Sequence, residues 1–349
     1  MCLRMAEAPL VSIVIPVYNA GDLLRGMIDS VLGQTEKSCE LLLLDDGSTD
    51  VGRTRRILEE YAQTDFRIRV IYQENIGVSK TRDKGIALSR GEWVYVCDQD
   101  DCLHPRLLEF ALWACRVKNL DYLKITHEFG SVKAKKRFDD IGDFESVTID
   151  VVDNLSSDAE AVGASINKLH TDAWAQFVRR DLAEMFPNEI YDVSRVFHIV
   201  GKARRWGISV LPLYYYHGDI ESSMIHKAIS PGWIDVLHGG WARVYDLYAS
   251  SATDRRGKVI LRSVCSGMIS SQLKVIFHMI KRLNKLNPFS VKVDVWGSFG
   301  IMSLDFLFKR RLSLQMLGFK HYMEYLVIGV VFGLPKVVSR KMKSRSIGF

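Results

Sequence analysis

Apolar, β-rich runs alternate with helical patterns over roughly the first third of the chain, and this alternation restricts the possible folds more than any other feature. The runs at 11–18, 40–44, 69–72 and 93–97 predict strands, and a helical pattern follows each of them. Strands that alternate with helices of about 10–15 residues indicate a mostly parallel sheet with helices on both faces. Runs such as IVIPV and LLLL lack the polar alternation of a half-exposed strand, which also favours burial on both faces. The sequence therefore predicts an α/β fold.

The later part of the chain is less regular. A helix is predicted at 192–205 and a strand at 210–216, whereas residues 130–165 favour a solvated loop or an edge hairpin. From about residue 233 the pattern is helical, without further strands. We therefore expect one α/β domain over residues 8–225 and a basic helical C-terminal region over residues 226–349.

The charge is divided unevenly along the 349 residues. Residues 1–254 carry 29 Lys and Arg against 38 Asp and Glu, a net charge of −9, whereas residues 255–349 carry 18 against 3, a net charge of +15. The apolar segment 325–334 is shorter than the roughly 20 residues that span a bilayer as a helix. Together with the cations that follow, it suits a helix on an anionic membrane surface, and a buried C-terminal helix with a basic end is the alternative.

Cysteine usage and the N-terminus bear on the compartment. The six cysteines include no CxxC pair, and the first residues lack the apolar stretch of a secretion signal. We therefore expect a cytoplasmic protein that contacts the inner face of the membrane peripherally through its basic C-terminus. No nucleic-acid partner is expected, because neither a known binding module nor stacking repeats accompany the cations.

Polar clusters follow three of the predicted strands. Tyr18 and Asn19 follow the first, the sequence DDGSTD follows the second, and DQDD follows the fourth. Each cluster alone is typical of a turn. Because ligands of open α/β sheets bind outside the carboxyl ends of the strands, three clusters at one edge predict a binding site there.

The DQDD cluster carries the most chemical information. Asp98, Asp100 and Asp101 crowd three carboxylates together, and a cation or solvent must offset their repulsion. Such oxygen ligands favour Mg²⁺ or Mn²⁺, with open positions for substrate phosphates. The segment Gly77–Arg82 adds a glycine and two cations at the start of a predicted helix, where anions are favoured. A metal site and an anion site together point to a diphosphate ligand. The sequence has no GxxxxGK(S/T) motif, which argues against a P-loop NTPase, and no GxGxxG motif follows the first strand.

These motifs, in this order and spacing, resemble those of family 2 glycosyltransferases. The resemblance rests on VSIVIPVYNAGDLL, SVLGQT, LLLLDDGSTD and ENIGVSKTRDKGIALSRGEWVYVCDQDD, and it continues weakly into YYYHGDIESSM. It implies a GT-A fold and, in general, an inverting enzyme that uses a nucleotide-diphospho-sugar and a divalent metal, Mn²⁺ or Mg²⁺. It covers roughly residues 8–225 and leaves the helical C-terminus outside.

The resemblance also assigns donor and metal residues. Pro16 and Tyr18 match positions that line the nucleobase, and Asp46 matches the acid that reads the base. Arg82 matches the helix residue that faces the diphosphate. In the DxD pair, Asp100 corresponds to the metal ligand and Asp98 to a contact with ribose or metal, and Asp101 extends the pair.

Inverting transfer needs a carboxylate that takes the acceptor proton, and the resemblance places this base at the start of a helix after the acceptor region. Asp192 matches the Asp of the family's Glu-Asp pair, whereas Tyr191 replaces the Glu, and Glu189 is an alternative base. A helix-start charge without catalytic role is the plainer interpretation of Asp192.

Two further positions depart from the family pattern. Gln176 stands where a Lys is frequent, and His217 stands where an Arg often follows the tyrosine run. His217 or His226 could add a metal or phosphate ligand, although an isolated histidine is more often structural.

The sequence thus predicts an inverting, metal-dependent glycosyltransferase. It would move a sugar from a nucleotide-sugar, expected to be a UDP-sugar, to a hydroxyl of a glycan or lipid-linked acceptor in surface polysaccharide synthesis. The alternatives are a sugar nucleotidyltransferase and a non-catalytic nucleotide-sugar-binding or membrane scaffold protein. A nucleotidyltransferase normally has a glycine- and basic-rich loop after the first strand, and residues 17–22 lack it.

Overall fold

A computed structural model of the chain describes residues 8–129, 143–169, 174–185, 192–217 and 231–267. The chain divides into two compact units, one of Met1–Leu155 with Leu169–Ser223 and one of Ser156–Lys168 with Met224–Phe349. The domain boundary expected between residues 225 and 226 lies outside the described residues.

The first unit is built on one sheet flanked by helices. Its strands are β1 (Val11–Val17), β2 (Cys39–Asp46), β3 (Ile68–Gln73), β4 (Trp93–Val96), β5 (Cys102–Leu103), β6 (Tyr122–Phe129), β7 (Ile149–Asp153), β8 (Gln176–Arg179) and β9 (Arg205–Tyr216). Its helices are α1 (Leu23–Leu32), α2 (Arg53–Thr64), α3 (Val78–Leu88), α4 (Leu107–Lys118), α6 (Arg180–Glu184) and α7 (Asp192–Lys202).

The sheet has a parallel half and a mixed half. Its strand order is β3-β2-β1-β4-β8-β6-β9-β5, and β7 pairs with β9 outside this path. Strands β1 to β4 are all parallel, so that their carboxyl ends lie at one edge. Strand β8 runs antiparallel between β4 and β6, while β6 and β9 are parallel to each other. The predicted α/β fold with a largely parallel sheet is confirmed.

Burial explains the apolar runs of the first strands. Every residue of β1, β2 and β4 is buried, as expected for strands covered on both faces. Helix α1 buries an i, i+3, i+4, i+7 stripe and ends at Gly33, as its sequence predicts. The buried residues of this stripe are Leu24, Met27, Ile28 and Val31.

A glycine sets the close approach of α3 to the sheet. A Cβ atom on Gly85 would collide with Val14 Cγ1 and lie 3.0 Å from Leu44 Cδ1. Helix α3 therefore packs directly on β1 and β2. This packing places the N-terminal half of α3, which carries Arg82, beside the carboxyl ends of those strands.

The middle of the chain differs from the sequence-based expectation. Residues 130–165 were expected to form a loop or an edge hairpin, yet 149–153 form strand β7 and 159–166 form helix α5 (Ala159–Ile166). Strand β7 pairs with β9 from Ile149 to Asp153, a partner far away in sequence. A five-residue strand gives only a weak periodic pattern. Its pairing with a distant strand is not visible in the local sequence.

The second unit is helical in its described part. It contains α5 and the helix α8 (Pro231–Ser251). Asn167, just after α5, donates from Nδ2 to the carbonyl of Ser263 at 2.8 Å. Among the described residues, none of the helices combines the length and apolarity needed to cross a membrane. The predicted membrane-surface segment 325–334 lies outside the described residues.

Candidate active site

The polar clusters predicted at the strand ends meet at the carboxyl edge of the parallel half of the sheet. The side chain of Gln99 accepts from the backbone N–H of Tyr18 at 2.8 Å and donates to its carbonyl at 3.1 Å. Asn19 accepts from the backbone N–H of Thr49 at 2.6 Å, and Ser48 Oγ accepts from the N–H of Asn19 at 2.9 Å. The loops after β1, β2 and β4 are therefore tied together by direct hydrogen bonds.

Asp46, at the end of β2, holds the start of α3. Its carboxylate accepts from the backbone N–H groups of Ile76 at 2.8 Å and Gly77 at 2.9 Å, and from Gln73 Nε2 at 2.8 Å. The side chain is buried, which by itself raises the pKa, but these hydrogen bonds and that of Thr81 outweigh burial and lower it. Asp46 is thus an ionised acid that shapes the loop before α3.

The other predicted nucleobase residues differ in exposure. Tyr18 directly follows β1 and is 44% exposed at the carboxyl edge, where a planar ligand can reach it. Pro16 is buried within β1, opposite Leu44 of β2. Pro16 therefore contributes to the sheet interior beneath the edge.

Arg82 is a buried cation that joins two predicted site residues. It is 5% exposed, and its guanidinium donates from Nη2 to Asp98 Oδ1 at 2.7 Å and from Nη1 to Asp192 Oδ1 at 3.0 Å. Burial by itself lowers the arginine pKa, but Asp98 and Asp192 outweigh it and raise it. The carboxylate of Asp192, at the start of α7, remains 45% exposed. The predicted diphosphate residue, the first acid of the DxD pair and the predicted base thus form one ionic cluster.

The three carboxylates of DQDD have different surroundings. Asp98 is 29% exposed beside Arg82. Burial raises the pKa of Asp100, and the charge of Asp98 raises it further. Asp101 is almost fully buried, and burial and Asp98 raise its pKa to about 8. Its oxygens accept from Tyr214 Oη at 2.5 Å and from the backbone N–H of His217 at 3.0 Å.

Tyr214, on β9, holds the DQDD loop through its hydroxyl group. This role was not predicted from the sequence. Its hydroxyl donates to Asp101 and accepts the backbone N–H of Asp98 at 3.1 Å. The ring of Trp174 stacks on Tyr214 with centroids 4.7 Å apart and an interplanar angle of 18°. The tyrosine run YYYH was the available sequence signal, but only the pairing of distant strands shows which tyrosine reaches the loop.

The strand register adds a basic residue beside Trp174. Lys124 of β6 lies opposite Gln176 of β8, is fully buried, and donates from Nζ to the carbonyl of Trp174 at 2.8 Å. The family pattern often has a Lys where this chain has Gln176. Here a lysine lies directly opposite that position on the neighbouring strand.

The residues at the edge fit a divalent metal. Asp98 and Asp100 supply hard oxygen donors, and burial together with the charge of Asp98 raises the pKa of Asp100, a penalty that a bound cation would offset. Asp101 is engaged by Tyr214 and His217 and suits a supporting role. In the described part of the chain, no three His, Cys, Asp or Glu side chains are placed so that they could hold a metal ion together. A metal would therefore need substrate oxygens or water to complete its coordination.

Three residues considered at the sequence level cannot be placed. Glu189, Tyr191 and His226 lie outside the described residues. His217 is described: its backbone binds Asp101, and its ring meets that of Tyr215 edge-on, with centroids 4.6 Å apart.

The fold and the acidic strand edge define a GT-A glycosyltransferase-like domain, and comparison with known proteins agrees. Residues 12–137 match the family model described as glycosyl transferase family 2. The resemblance found in the motifs is therefore confirmed over this part of the chain.

Curated relatives match over the same N-terminal part. The putative glycosyltransferase EpsH of Bacillus subtilis is 40% identical over 103 residues, which is 30% of this chain and 29% of EpsH. The putative teichuronic acid biosynthesis glycosyltransferase TuaG of B. subtilis is 42% identical over 94 residues, 27% of this chain and 36% of TuaG. The chain thus matches about a third of the length of these relatives.

A solved structure is similar over a larger share. The crystal structure of S. aureus TarS 1–349 in complex with UDP-GlcNAc has a TM-score of 0.61 and 19% identity, and covers 84% of this chain and 80% of that one. The two proteins share a fold, and the predicted GT-A fold is confirmed.

Proposed function

We propose that this protein is an inverting glycosyltransferase that moves a sugar from a nucleotide-diphospho-sugar to a hydroxyl of a glycan or lipid-linked acceptor in surface polysaccharide synthesis. The observation that carries the proposal is the cluster of Arg82 with Asp98 and Asp192 at the carboxyl edge of a GT-A sheet. It unites a buried cation suited to a diphosphate with an exposed carboxylate suited to proton removal. Neither a nucleotidyltransferase nor a scaffold requires the second group.

The donor would lie across the loops after β1, β2 and β4. Tyr18 offers an exposed ring for the nucleobase, and the loop shaped by Asp46 borders the same edge. The complex of TarS with UDP-GlcNAc makes UDP-sugars the first donors to test. Arg82 would offset the negative charge that grows on the departing diphosphate.

The transfer step is a single displacement. The carboxylate of Asp192 takes the proton of the acceptor hydroxyl while that oxygen forms a bond to the anomeric carbon. The bond from that carbon to the diphosphate breaks, and its electron pair leaves with the nucleoside diphosphate. A carboxylate that is 45% exposed, at the start of α7, can meet an acceptor from solvent.

The divalent metal would be held by Asp100 and Asp98. When bound, Mn²⁺ or Mg²⁺ supplies positive charge for the diphosphate oxygens. Asp101 and Tyr214 would keep the loop that carries both ligands in place. We further propose a peripheral contact of the basic C-terminal region with an anionic membrane, where a lipid-linked acceptor would be found.

The proposal is tested by donor binding and donor turnover. The purified chain is titrated calorimetrically with a panel of UDP-, GDP- and dTDP-sugars, with Mn²⁺ and with EDTA, and hydrolysis or transfer of the sugar is followed by release of the nucleoside diphosphate. We expect one nucleotide class to bind more tightly with Mn²⁺. Absence of binding and turnover across the whole panel would refute the enzyme function. Donor binding without turnover, even when extracts that contain acceptors are added, would favour the scaffold alternative.

A further inference from the structure

Two consecutive residues of α3 pair with two residues of α7 that lie one helical turn apart. Arg82 binds Asp192, and Asp83 binds Arg195, with opposite polarity in the two pairs. Asp192 and Arg195 are three residues apart and share one face of α7. The Asp83 and Arg195 side chains are only 13% and 7% exposed, so this second pair lies in the protein interior.

From this arrangement we propose that Asp83 and Arg195 are positioning residues that lock the register of α7 and thereby hold Asp192 at the site. The inference rests on the proposed function, because it assigns Asp192 the role of base. The Asp83–Arg195 pair does not need to touch either substrate. It acts through the backbone of α7, one turn from the base.

The alternation of charge makes the lock specific. Along α3 the order is positive then negative, and along the facing side of α7 it is negative then positive. A slide of α7 by three residues, about 4.5 Å, would bring Arg195 towards Arg82 or Asp192 towards Asp83. Like charges in a buried contact oppose such a slide more strongly than the loss of a favourable contact alone would.

The second pair has a specific use when donor is bound. Arg82 is shared between Asp98 and Asp192 in the free protein, and a diphosphate would compete for the same guanidinium. Any weakening of the Arg82–Asp192 contact would remove one ion pair between α3 and the first turn of α7. The Asp83–Arg195 pair does not use the Arg82 guanidinium and would still hold that turn, so the base stays in place while Arg82 serves the donor.

The test compares Arg195→Met, Asp83→Asn and Arg195→Lys with the wild type by hydrogen exchange of the α7 backbone amides and by donor kinetics. We expect Arg195→Met and Asp83→Asn to speed exchange in the first turns of α7 at least about 10-fold, as for a locally opened helix. We expect kcat to fall about 10- to 100-fold with the donor KM within about threefold, the pattern of a misplaced base. Arg195→Lys, which keeps the positive charge, should recover much of the slow α7 exchange and much of kcat.

Arg67→Met serves as the matched control. Arg67 pairs with Asp65 at 2.7 Å, with side chains 12% and 20% exposed, near the start of β3 and at the opposite end of the strands from the site. This control should leave α7 exchange and kcat unchanged. If Arg195→Met and Asp83→Asn leave α7 exchange as slow as in the control, the lock is refuted. If the wild type turns over no donor, the proposed function fails, and α7 exchange still decides the lock.

Discussion

Arg82 and Asp192 are 110 residues apart in sequence, and their side chains meet with Nη1 and Oδ1 separated by 3.0 Å. The same guanidinium binds Asp98 at 2.7 Å. One buried cation thus joins the acidic loop after β4 to the first residue of α7. This cluster connects donor binding to proton removal, and each of its members can be tested separately.

Replacing the shared cation should affect both binding and stability. We expect Arg82→Gln to weaken binding of the donor at least about 10-fold, since a charge-assisted contact is lost. The free energy of unfolding should fall by about 2 kcal/mol, less than for a fully buried pair because both carboxylates reach solvent. Calorimetry and urea denaturation measure these effects. Arg180→Gln, which removes an exposed pair with Glu184 at the amino end of β4, should change neither by much.

Removing the proposed base should separate chemistry from binding. We expect Asp192→Asn to lower kcat at least about 100-fold, because the acceptor proton loses its carboxylate. The affinity for the nucleotide should change by less than about fivefold, since Arg82 keeps its contact with Asp98. Single-turnover transfer and donor titration give the two numbers. Undiminished turnover would place the base elsewhere, with Glu189 as the next residue to change.

Tyr214 should matter for metal-dependent binding. Loss of its hydroxyl in Tyr214→Phe leaves Asp101 and the Asp98 N–H without their shared partner. We expect the affinity for Mn²⁺ with bound nucleotide to drop about 10-fold, as for other residues that support metal ligands. Tyr61→Phe, which removes a hydroxyl bound to Asp29 on α1, is the control. Equal Mn²⁺ affinity in both variants would contradict the supporting role of Tyr214.

The packing of α3 on the sheet should be sensitive to one methyl group. Gly85→Ala forces a Cβ against Val14 and Leu44, so we expect the free energy of unfolding to fall by about 1–3 kcal/mol. Gly26→Ala in α1 is the matched control, because its Cβ would lie 3.6 Å from Cys102 Sγ of β5, an ordinary contact. That change should stabilise the protein by about 0.5–1 kcal/mol through helix propensity. Equal effects of the two changes would show that α3 tolerates a wider spacing.

A buried carboxylate far from the site should make stability depend on pH. Glu40 is 2% exposed and accepts from Ser12 Oγ at 2.7 Å and Arg69 at 2.8 Å. Burial by itself raises its pKa, but the hydrogen bonds from Ser12, Arg69 and Arg90 outweigh burial and hold it below the ordinary 4.5. Its contribution is therefore complete above pH 4.5 and is lost as the pH falls through the lower folded-state pKa.

The corresponding variant is Glu40→Gln. We expect it to lower the free energy of unfolding by about 2 kcal/mol at pH 7, and the difference from the wild type should shrink below pH 4.5. Denaturation at a series of pH values measures the difference. A difference that stays constant down to the acid transition would show that Glu40 is not ionised in the folded protein.

Several features could be predicted from local sequence. The helix after the first strand, observed at Leu23–Leu32, was predicted because its apolar stripe is a local signal. The strands β1 to β4 were predicted to within a few residues, and the fully buried β1, β2 and β4 gave the clearest signal through their apolar runs. Their carboxyl ends identified the acidic edge, because parallel strands joined by helices must all point the same way.

Other features depend on residues that are distant in sequence. The amino-acid types of Arg82 and Asp192 are visible in the sequence, but their contact requires α3 and α7 to pack together. Tyr214, which donates a hydrogen bond to Asp101, lies on a strand more than a hundred residues later in the chain. Burial in the folded protein raises the pKa of Asp101 to about 8. The sequence by itself determined the elements and the chemistry available at one edge of the sheet. Only the tertiary structure decided which charges are desolvated and paired, because desolvation and pairing are properties of contacts between distant segments.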